Sequence, residues 1–363
     1  MACSESLSRF EEMVPLARAL AICGFFLAAL GCGGGRPLAK PAIPLTTPKR
    51  LCARGEHPPA CLDPLVVESW LGSDSLRVDG SAAPPGGDQG TKLFTVSIDE
   101  AGATHTFRAK WRGPSTSGLI NEPRKELAAY AVQKLFLEPD EYVAPPTAAH
   151  CFREQDYRAF STEVDQPLPG TDCILGFLSL WLEDVKTVES AHKAGWLRDG
   201  ENVWSPSLFA ADAYYKRSIA HANLFMFAVN HGDPHPLQFI LERLDPGVRI
   251  YVVDNSIAFR SIKNPKILFE TDWSQIQVPA FPQDTLARIR SLDDQDFARL
   301  GVLDEFVPAD GGLVRRSTES PTPVVTGLDW DQKVLRIGLP PGEVDLVKAR
   351  LAALSNRTDL ATF

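Results

Sequence analysis

Hydrophobic and polar positions alternate in two short stretches of the first half of the chain. Phe94, Val96 and Ile98 share one face of the run 93–98, and residues 104–111 alternate again, so both read as half-buried strands. Asp99-Glu100-Ala101-Gly102 between them has turn chemistry and predicts a hairpin. The period then changes. Asn121-Glu122-Pro123 offers a capping residue and an early proline, and Leu127, Ala128, Ala131 and Leu135 follow at helical spacing until the prolines of 139–146. Residues 174–182 form a mostly apolar run, read as a buried strand leading into Glu183-Asp184. Beyond it, 207–229 predicts one or two helices with Leu208, Ala211, Tyr215, Ile219, Ala222 and Phe225 on one face. Further helices are expected at 283–292 and 342–354.

A strand-rich first half followed by a helix-rich second half predicts an α+β fold of two lobes with a cleft between them. The expected division is a β-rich N-lobe over 61–183 and a mostly helical C-lobe over 184–363. Residues 33–60 begin Gly-rich (Gly33, Gly34, Gly35) and continue Pro-rich (Pro37, Pro41, Pro44), a composition expected of a tether. A second loop, 81–90, is also rich in Pro and Gly.

The first 32 residues add a destination. From Leu16 to Gly31 the chain is almost wholly apolar apart from Arg18, and it ends in small residues before Cys32, as a secretory signal does. The acidic residues 1–12 fit a signal poorly, so Met13 is an alternative start. Leu30-Gly31-Cys32 resembles the lipobox of bacterial lipoproteins, with Ala29 where Leu or Val is usual; the resemblance implies that Cys32 carries a lipid anchor in the bacterial cell envelope. Gly33 rather than Asp after it points to the outer membrane. Of the seven cysteines, Cys52, Cys61, Cys151 and Cys173 would then remain. An even set in an exported protein suggests two disulfides, with Cys52–Cys61 and Cys151–Cys173 the favoured of three connectivities. The net charge of −9, from 37 basic and 46 acidic residues, argues against nucleic acid as a partner.

Chemistry concentrates in two turns of the second half. Asn230-His231-Gly232-Asp233-Pro234-His235-Pro236-Leu237-Gln238 precedes the apolar run 239–241, and Asp254-Asn255-Ser256-Ile257-Ala258-Phe259 follows the strand-like run 249–253. Two aspartates in turns, one on each side of a short hairpin, suit phosphoryl transfer: one carboxylate orients the acceptor hydroxyl, and the other holds a metal that bridges nucleotide phosphates.

Together with upstream residues these turns resemble a known group. Phe107-Arg108-Ala109-Lys110 on a strand, Glu126-Leu127-Ala128-Ala129-Tyr130 on a helix, Pro145-Pro146, the run 224–230, Asp233, His235, Asp254-Asn255 and Phe259 are similar to the secretory-pathway kinases of the Golgi casein kinase and four-jointed type. His231-Gly232-Asp233-Pro234-His235-Pro236 is also similar to the HGDxHP loop of aminoglycoside and choline kinases. Both resemblances imply a two-lobed protein-kinase-like fold, covering about residues 91–260. They imply ATP or another nucleotide with Mg or Mn as cofactors, and a hydroxyl-bearing acceptor. Lys110 and Glu126 would bind the nucleotide, Asp233 would act as base with His235 in the same loop, and Asp254, Gln238 and Asn255 would hold metal. The sequence departs from that pattern in three places, the first being Pro234 and Pro236, which stiffen the loop where the secretory kinases have other residues. Gln238 stands five residues after Asp233, where such kinases place an asparagine, and Gly86-Gly87-Asp88-Gln89-Gly90 is the nearest substitute for a GxGxxG phosphate cover. A catalytically inactive kinase-fold lipoprotein that binds or scaffolds is therefore the second expectation. An unrelated α+β fold carrying these motifs in this order by chance is the third.

Overall fold

The 93–98 and 104–111 runs pair as expected, because a two-residue turn lets them. In the computed structural model, which describes residues 44–85, 91–113, 122–161, 166–198, 201–232, 236–245, 247–259, 275–309, 312–316 and 322–363, Ala101 and Gly102 have φ of 49° and 80°. Positive φ at both positions matches the twist of a tight hairpin. The signal-like residues 1–32 with Cys32, the Gly86–Gly90 segment, and Asp233 and His235 lie outside the described residues.

The chain runs through helix α1 (Pro64–Leu71), strands β1 (Arg77–Ala82), β2 (Lys92–Glu100) and β3 (Ala103–Arg112), and helix α2 (Arg124–Gln133). It continues through β4 (Thr147–Arg153), α3 (Glu154–Phe160), β5 (Cys173–Leu180), β6 (Val185–Thr187), α4 (Val188–Lys193), α5 (Pro206–Ala211) and α6 (Ala213–Val229). Then come β7 (Phe239–Arg243), β8 (Val248–Val252), β9 (Ala280–Phe281), α7 (Gln283–Ser291) and α8 (Asp294–Ala298). The last elements are β10 (Asp304–Ala309), β11 (Gly312–Arg315), β12 (Leu328–Trp330), β13 (Leu335–Ile337), α9 (Pro341–Ser355) and β14 (Ala361–Thr362). This is a mixed α+β fold, and residues 43–363 make one unit.

The largest sheet has the order β1-β2-β3-β5-β4 and is antiparallel throughout. Side chains alternate across a strand, and here both faces are covered. Ile174, Leu178 and Leu180 of β5 join Phe94, Phe107 and Trp111 in one core, whereas Leu175 and Phe177 join Leu127 of α2 in another. That explains why β5, apolar but for Gly176 and Ser179, is buried at every position. Helix α2 is likewise buried nearly all round, so the narrow stripe expected from 127, 128, 131 and 135 understates it, and Ala131 is its one partly exposed residue among 124–133.

The single or double helix expected over 207–229 breaks at Asp212, whose carboxylate accepts from the backbone N–H of Tyr214 and Tyr215 and caps α6. Asn230, with φ 47°, ends α6 in the left-handed conformation that asparagine tolerates. Strands β6, β7 and β8 form a three-stranded antiparallel sheet packed on α6.

Two expectations need correction. The region 184–363 is not simply helical: β10–β13 form a four-stranded antiparallel sheet whose Phe306, Leu313, Leu335 and Ile337 pack against Ala149, Leu175 and Phe177 of the first sheet. Its strands are short and interrupted, so no period shows in the sequence. The tether expected over 33–60 also ends earlier. Thr46 donates through its backbone and hydroxyl to the carbonyls of Thr106 and Thr104, and Leu51 is fully buried.

Disulfides join Cys52 to Cys61 and Cys151 to Cys173, the favoured pairing. They place the protein in an oxidising compartment outside the cytoplasm. Among the described residues no helix is long and apolar enough to cross a membrane.

The seam between the two larger sheets contains opposing ionisable groups. Burial lowers the His150 imidazole to about 4 despite its hydrogen bond with the Leu71 carbonyl, and burial raises the Asp304 carboxyl to about 6 against the pull of Arg315. A raised carboxyl pKa gives stability that is present at low pH and lost as pH rises through about 6. A lowered histidine pKa gives stability that is lost as pH falls from 6.5 towards 4. Asp304→Asn removes the first contribution, so its loss of stability between pH 6 and 4 should be steeper than that of the wild type by up to about 3 kcal/mol, checked by urea unfolding at both pH values.

Candidate functional site

Strand β3 sets the site by alternation. Ala109 and Trp111 face the core, so Lys110 and Arg112 both project from the opposite face, with Lys110 beside Ser179 of β5 in the ladder. Helix α2 crosses that face, and Glu126 in its first turn meets Lys110, with Nζ to Oε1 at 2.9 Å. The other Glu126 oxygen lies 3.5 Å from the Ser179 hydroxyl, which in turn bonds Thr147 Oγ1 at 2.8 Å. The expected Lys110–Glu126 pair therefore forms, backed by a short polar chain into β4.

Asp254 arrives from the far end of the fold, just beyond β8. Its backbone is left-handed, with φ 59° and ψ 55°, which an aspartate accepts more readily than most residues and which turns the chain sharply. Its Oδ1 stands 3.7 Å from Lys110 Nζ and 3.3 Å from Arg112 Nη1, and it accepts from Ser256 Oγ at 3.1 Å. The backbone N–H of Glu122 donates to the Ser256 carbonyl at 2.8 Å, tying the start of α2 to the same turn. Burial alone would raise the Asp254 carboxyl, but Lys110 first and Arg112 next outweigh it and hold the group below the usual carboxylate value. Burial alone would lower the Lys110 ammonium; Glu126 and then Asp254 outweigh it and keep it above the usual lysine value. Both groups are therefore charged across the neutral range.

Arg112 is the residue that sequence reasoning missed. It is buried, and besides Asp254 its Nη1 approaches Ser256 Oγ at 3.3 Å and Glu126 Oε1 at 3.8 Å. The signal was present: Lys110-Trp111-Arg112 on a strand puts two cations on one face with a core tryptophan between them.

Asp233 and His235 lie outside the described residues, but the segments on either side of them do not. Phe259 N–H donates to the Val229 carbonyl at 2.7 Å, and Val253 N–H to the Gln238 carbonyl at 2.9 Å. A Cβ on Gly232 would sit 2.4 Å from the Ile257 carbonyl oxygen, so only glycine allows the first turn to approach the second this closely. The two motifs are thus laced together before and after Asp233. Gln238 is buried and reaches the cleft wall with its neighbour Leu237.

That cleft has a volume of about 610 Å³. It is lined by the charged or polar Lys110, Arg112, Glu126, Asp254 and Asn255 and by the apolar Leu180, Leu182, Val185, Leu237 and Ile240. Pro85 and Thr91, which bracket the Gly-rich segment, also line it. Polar and apolar lining in one cavity suits an amphipathic ligand. For a cation the donor set is sparse but appropriate. Among the described residues Asn255 Oδ1 is buried without a hydrogen-bond partner, and Asn255 and Asp254 both line the cavity. Among the described residues no three His, Cys, Asp or Glu side chains gather into a cation cage. Mg-type sites that use one or two protein oxygens and complete their shell with phosphate and water need no such cage.

No protein-family model matches this chain, and no curated protein matches it. The site's meaning rests on its own geometry.

Gly232→Ala should lower stability by about 1–3 kcal/mol, the range for forcing an extra carbon into a packed contact. It should also push the Ile257 carbonyl and the Asp254 turn away, read as a lower thermal midpoint together with changed NMR shifts at Asp254 and Ser256.

Proposed function

We propose that this protein is an exported, protein-kinase-like phosphotransferase that moves the γ-phosphoryl group of ATP to a hydroxyl on a protein, sugar or small molecule. One observation carries the reading: a helix carboxylate and a turn aspartate, distant in sequence, both come within 3.7 Å of a strand lysine in a cleft of about 610 Å³. The resemblance to the secretory-pathway and HGDxHP kinases assigns those three residue types to one nucleotide site, and the described distances suit it.

In this reading Lys110, held by Glu126, neutralises phosphate charge, and the apolar lining of the cleft takes the base. Asp254 and Asn255 hold Mg or Mn, with Gln238 close by. The bound cation supplies charge neutralisation of the phosphates and of the leaving oxygen. Asp233 orients the acceptor hydroxyl and takes its proton as the new oxygen–phosphorus bond forms and the bond to the leaving ADP breaks. His235 steadies the loop that carries it. The reaction class explains why so little covalent machinery is needed: positioning and electrostatic stabilisation do most of the work.

A second reading has its own observation. Arg112 pairs with Asp254 at 3.3 Å, and Gln238 replaces the usual asparagine, as a nucleotide-binding or scaffolding module without turnover would tolerate. The readings separate by experiment. ATP or a non-hydrolysable analogue with Mn should raise the thermal midpoint of the purified protein, and ATP consumption should fall at least a hundred-fold in Asp254→Ala and in Asp233→Ala. A stabilising shift without turnover selects the binding module, and no shift with any nucleotide sinks the kinase reading.

The lipobox-like run and the disulfides support an envelope location, with Cys32 as the anchored residue. Cys32→Ser should abolish incorporation of labelled palmitate in a bacterial host. Unchanged labelling would remove the anchor from the proposal.

A further inference from the structure

We infer that Arg112 makes entry of a divalent cation at Asp254 conditional on a polyphosphate ligand. The inference rests on the nucleotide reading above and assigns a regulatory role to a residue outside the resembling motifs.

Two cations share two carboxylate oxygens. Glu126 Oε1 has Lys110 at 2.9 Å and Arg112 at 3.8 Å; Asp254 Oδ1 has Arg112 at 3.3 Å and Lys110 at 3.7 Å. These four described charges sum to zero. A divalent cation arriving alone at Asp254 meets two fixed positive charges and brings no anion to offset them. Arg112 cannot step aside into water, because its side chain is only 6% exposed and it springs from the interior of the five-stranded sheet. An anion that enters the cleft, which Arg112 lines, can draw it away from Asp254.

A polyphosphate is such an anion. Its oxygens offer the planar guanidinium of Arg112 a bidentate partner and Lys110 a second, and their charge exceeds what the two side chains supply. With Arg112 turned to phosphate, Asp254 Oδ1 loses its nearest described cation, in the cavity that Asn255 also lines. Asp254 and the phosphate oxygens would then be open to a metal together. Arg112 thus acts as a lock on the metal position and as the second phosphate-facing cation, and the phosphate chain alone suffices to turn it.

The test measures Mn2+ binding directly, by electron paramagnetic resonance on the purified full chain, so it does not depend on turnover. Mn2+ alone should bind wild-type protein weakly. Adding a non-hydrolysable ATP analogue, or inorganic tripolyphosphate in its place, should tighten the protein-bound Mn2+ at least ten-fold beyond what the ligand binds in solution. Arg112→Gln should reduce that ratio by raising Mn2+ affinity in the ligand-free protein, Arg112→Lys should preserve it, and Asp254→Asn should abolish the site in both states. Equal Mn2+ affinity with and without ligand in the wild type overturns the inference, whether or not Arg112→Gln folds, and so does an unchanged ratio in a folded Arg112→Gln. Nucleotide binding with such indifference leaves the phosphotransfer reading standing; absence of nucleotide and tripolyphosphate binding removes both.

Discussion

Two carboxylate oxygens, Glu126 Oε1 and Asp254 Oδ1, hold together parts of the chain that are far apart in sequence. Each is shared by Lys110 and Arg112, so strand β3, helix α2 and the turn after β8 meet at a single charged knot. Taking charges out of water is costly, and the cost is offset only while every partner stays in place. A displacement of α2 takes from Lys110 its nearer carboxylate of the two, and a displacement of the Asp254 turn takes from Arg112 its nearer one. The knot therefore specifies position more than it adds stability. This is what a site that works by preorganised electrostatics requires.

The first turn of α2 shows how that position is enforced from outside the cleft. Arg124, Lys125 and Glu126 are three consecutive buried charges, and they point to different places. Glu126 faces the cleft, whereas Arg124 and Lys125 both reach Glu343 in the first turn of α9, at 2.9 and 3.3 Å, and both also pair with Glu122. The last long helix of the chain thereby fixes the register of α2, and through it the height of Glu126 above β3. A Cβ at Gly327 would collide with the Arg124 guanidinium, so the sheet that carries β12 closes on the same anchor. The four-stranded sheet and α9 act as a brace behind the site, although none of their residues lines the cleft.

How much of this was legible in the sequence depended on range. The β2–β3 hairpin, the covered strand β5 and the helices at 283–291 and 341–355 are written in local periods and turn residues, and they formed close to the expected bounds. Lys110, Glu126 and Asp254 were found because each sits in a recognisable local setting. Their meeting was an expectation of family resemblance, since no local rule brings residue 254 to residue 110. Arg112 went unnoticed because an arginine on a strand is ordinarily a solvated side chain, and only the arrival of α2 and the Asp254 turn buries it. The sheet β10–β13 escaped for the same reason. Its strands of three to six residues bury their apolar faces against Ala149, Leu175 and Phe177, partners more than a hundred residues away.

The disulfides connect the compartment to the chemistry. Cys151–Cys173 crosslinks β4 to β5, the strands that supply Thr147 and Ser179 behind Glu126. The Cys52–Cys61 loop is held by Arg249 of β8, whose guanidinium donates to the Cys52 carbonyl at 3.0 Å and to the Tyr142 carbonyl at 2.8 Å. Strand β8 ends at the Asp254 turn, and Val252 N–H donates to the Val143 carbonyl at 2.8 Å on the way. Each crosslink thus stiffens a strand that delivers one side of the charged knot. A cluster of partly buried charges tolerates little loosening, because the attraction between them weakens as they separate. A protein that forms such a knot where disulfides persist can draw on covalent restraint to keep it aligned. Reduction should therefore be felt at Glu126 and Asp254 before the cores themselves give way.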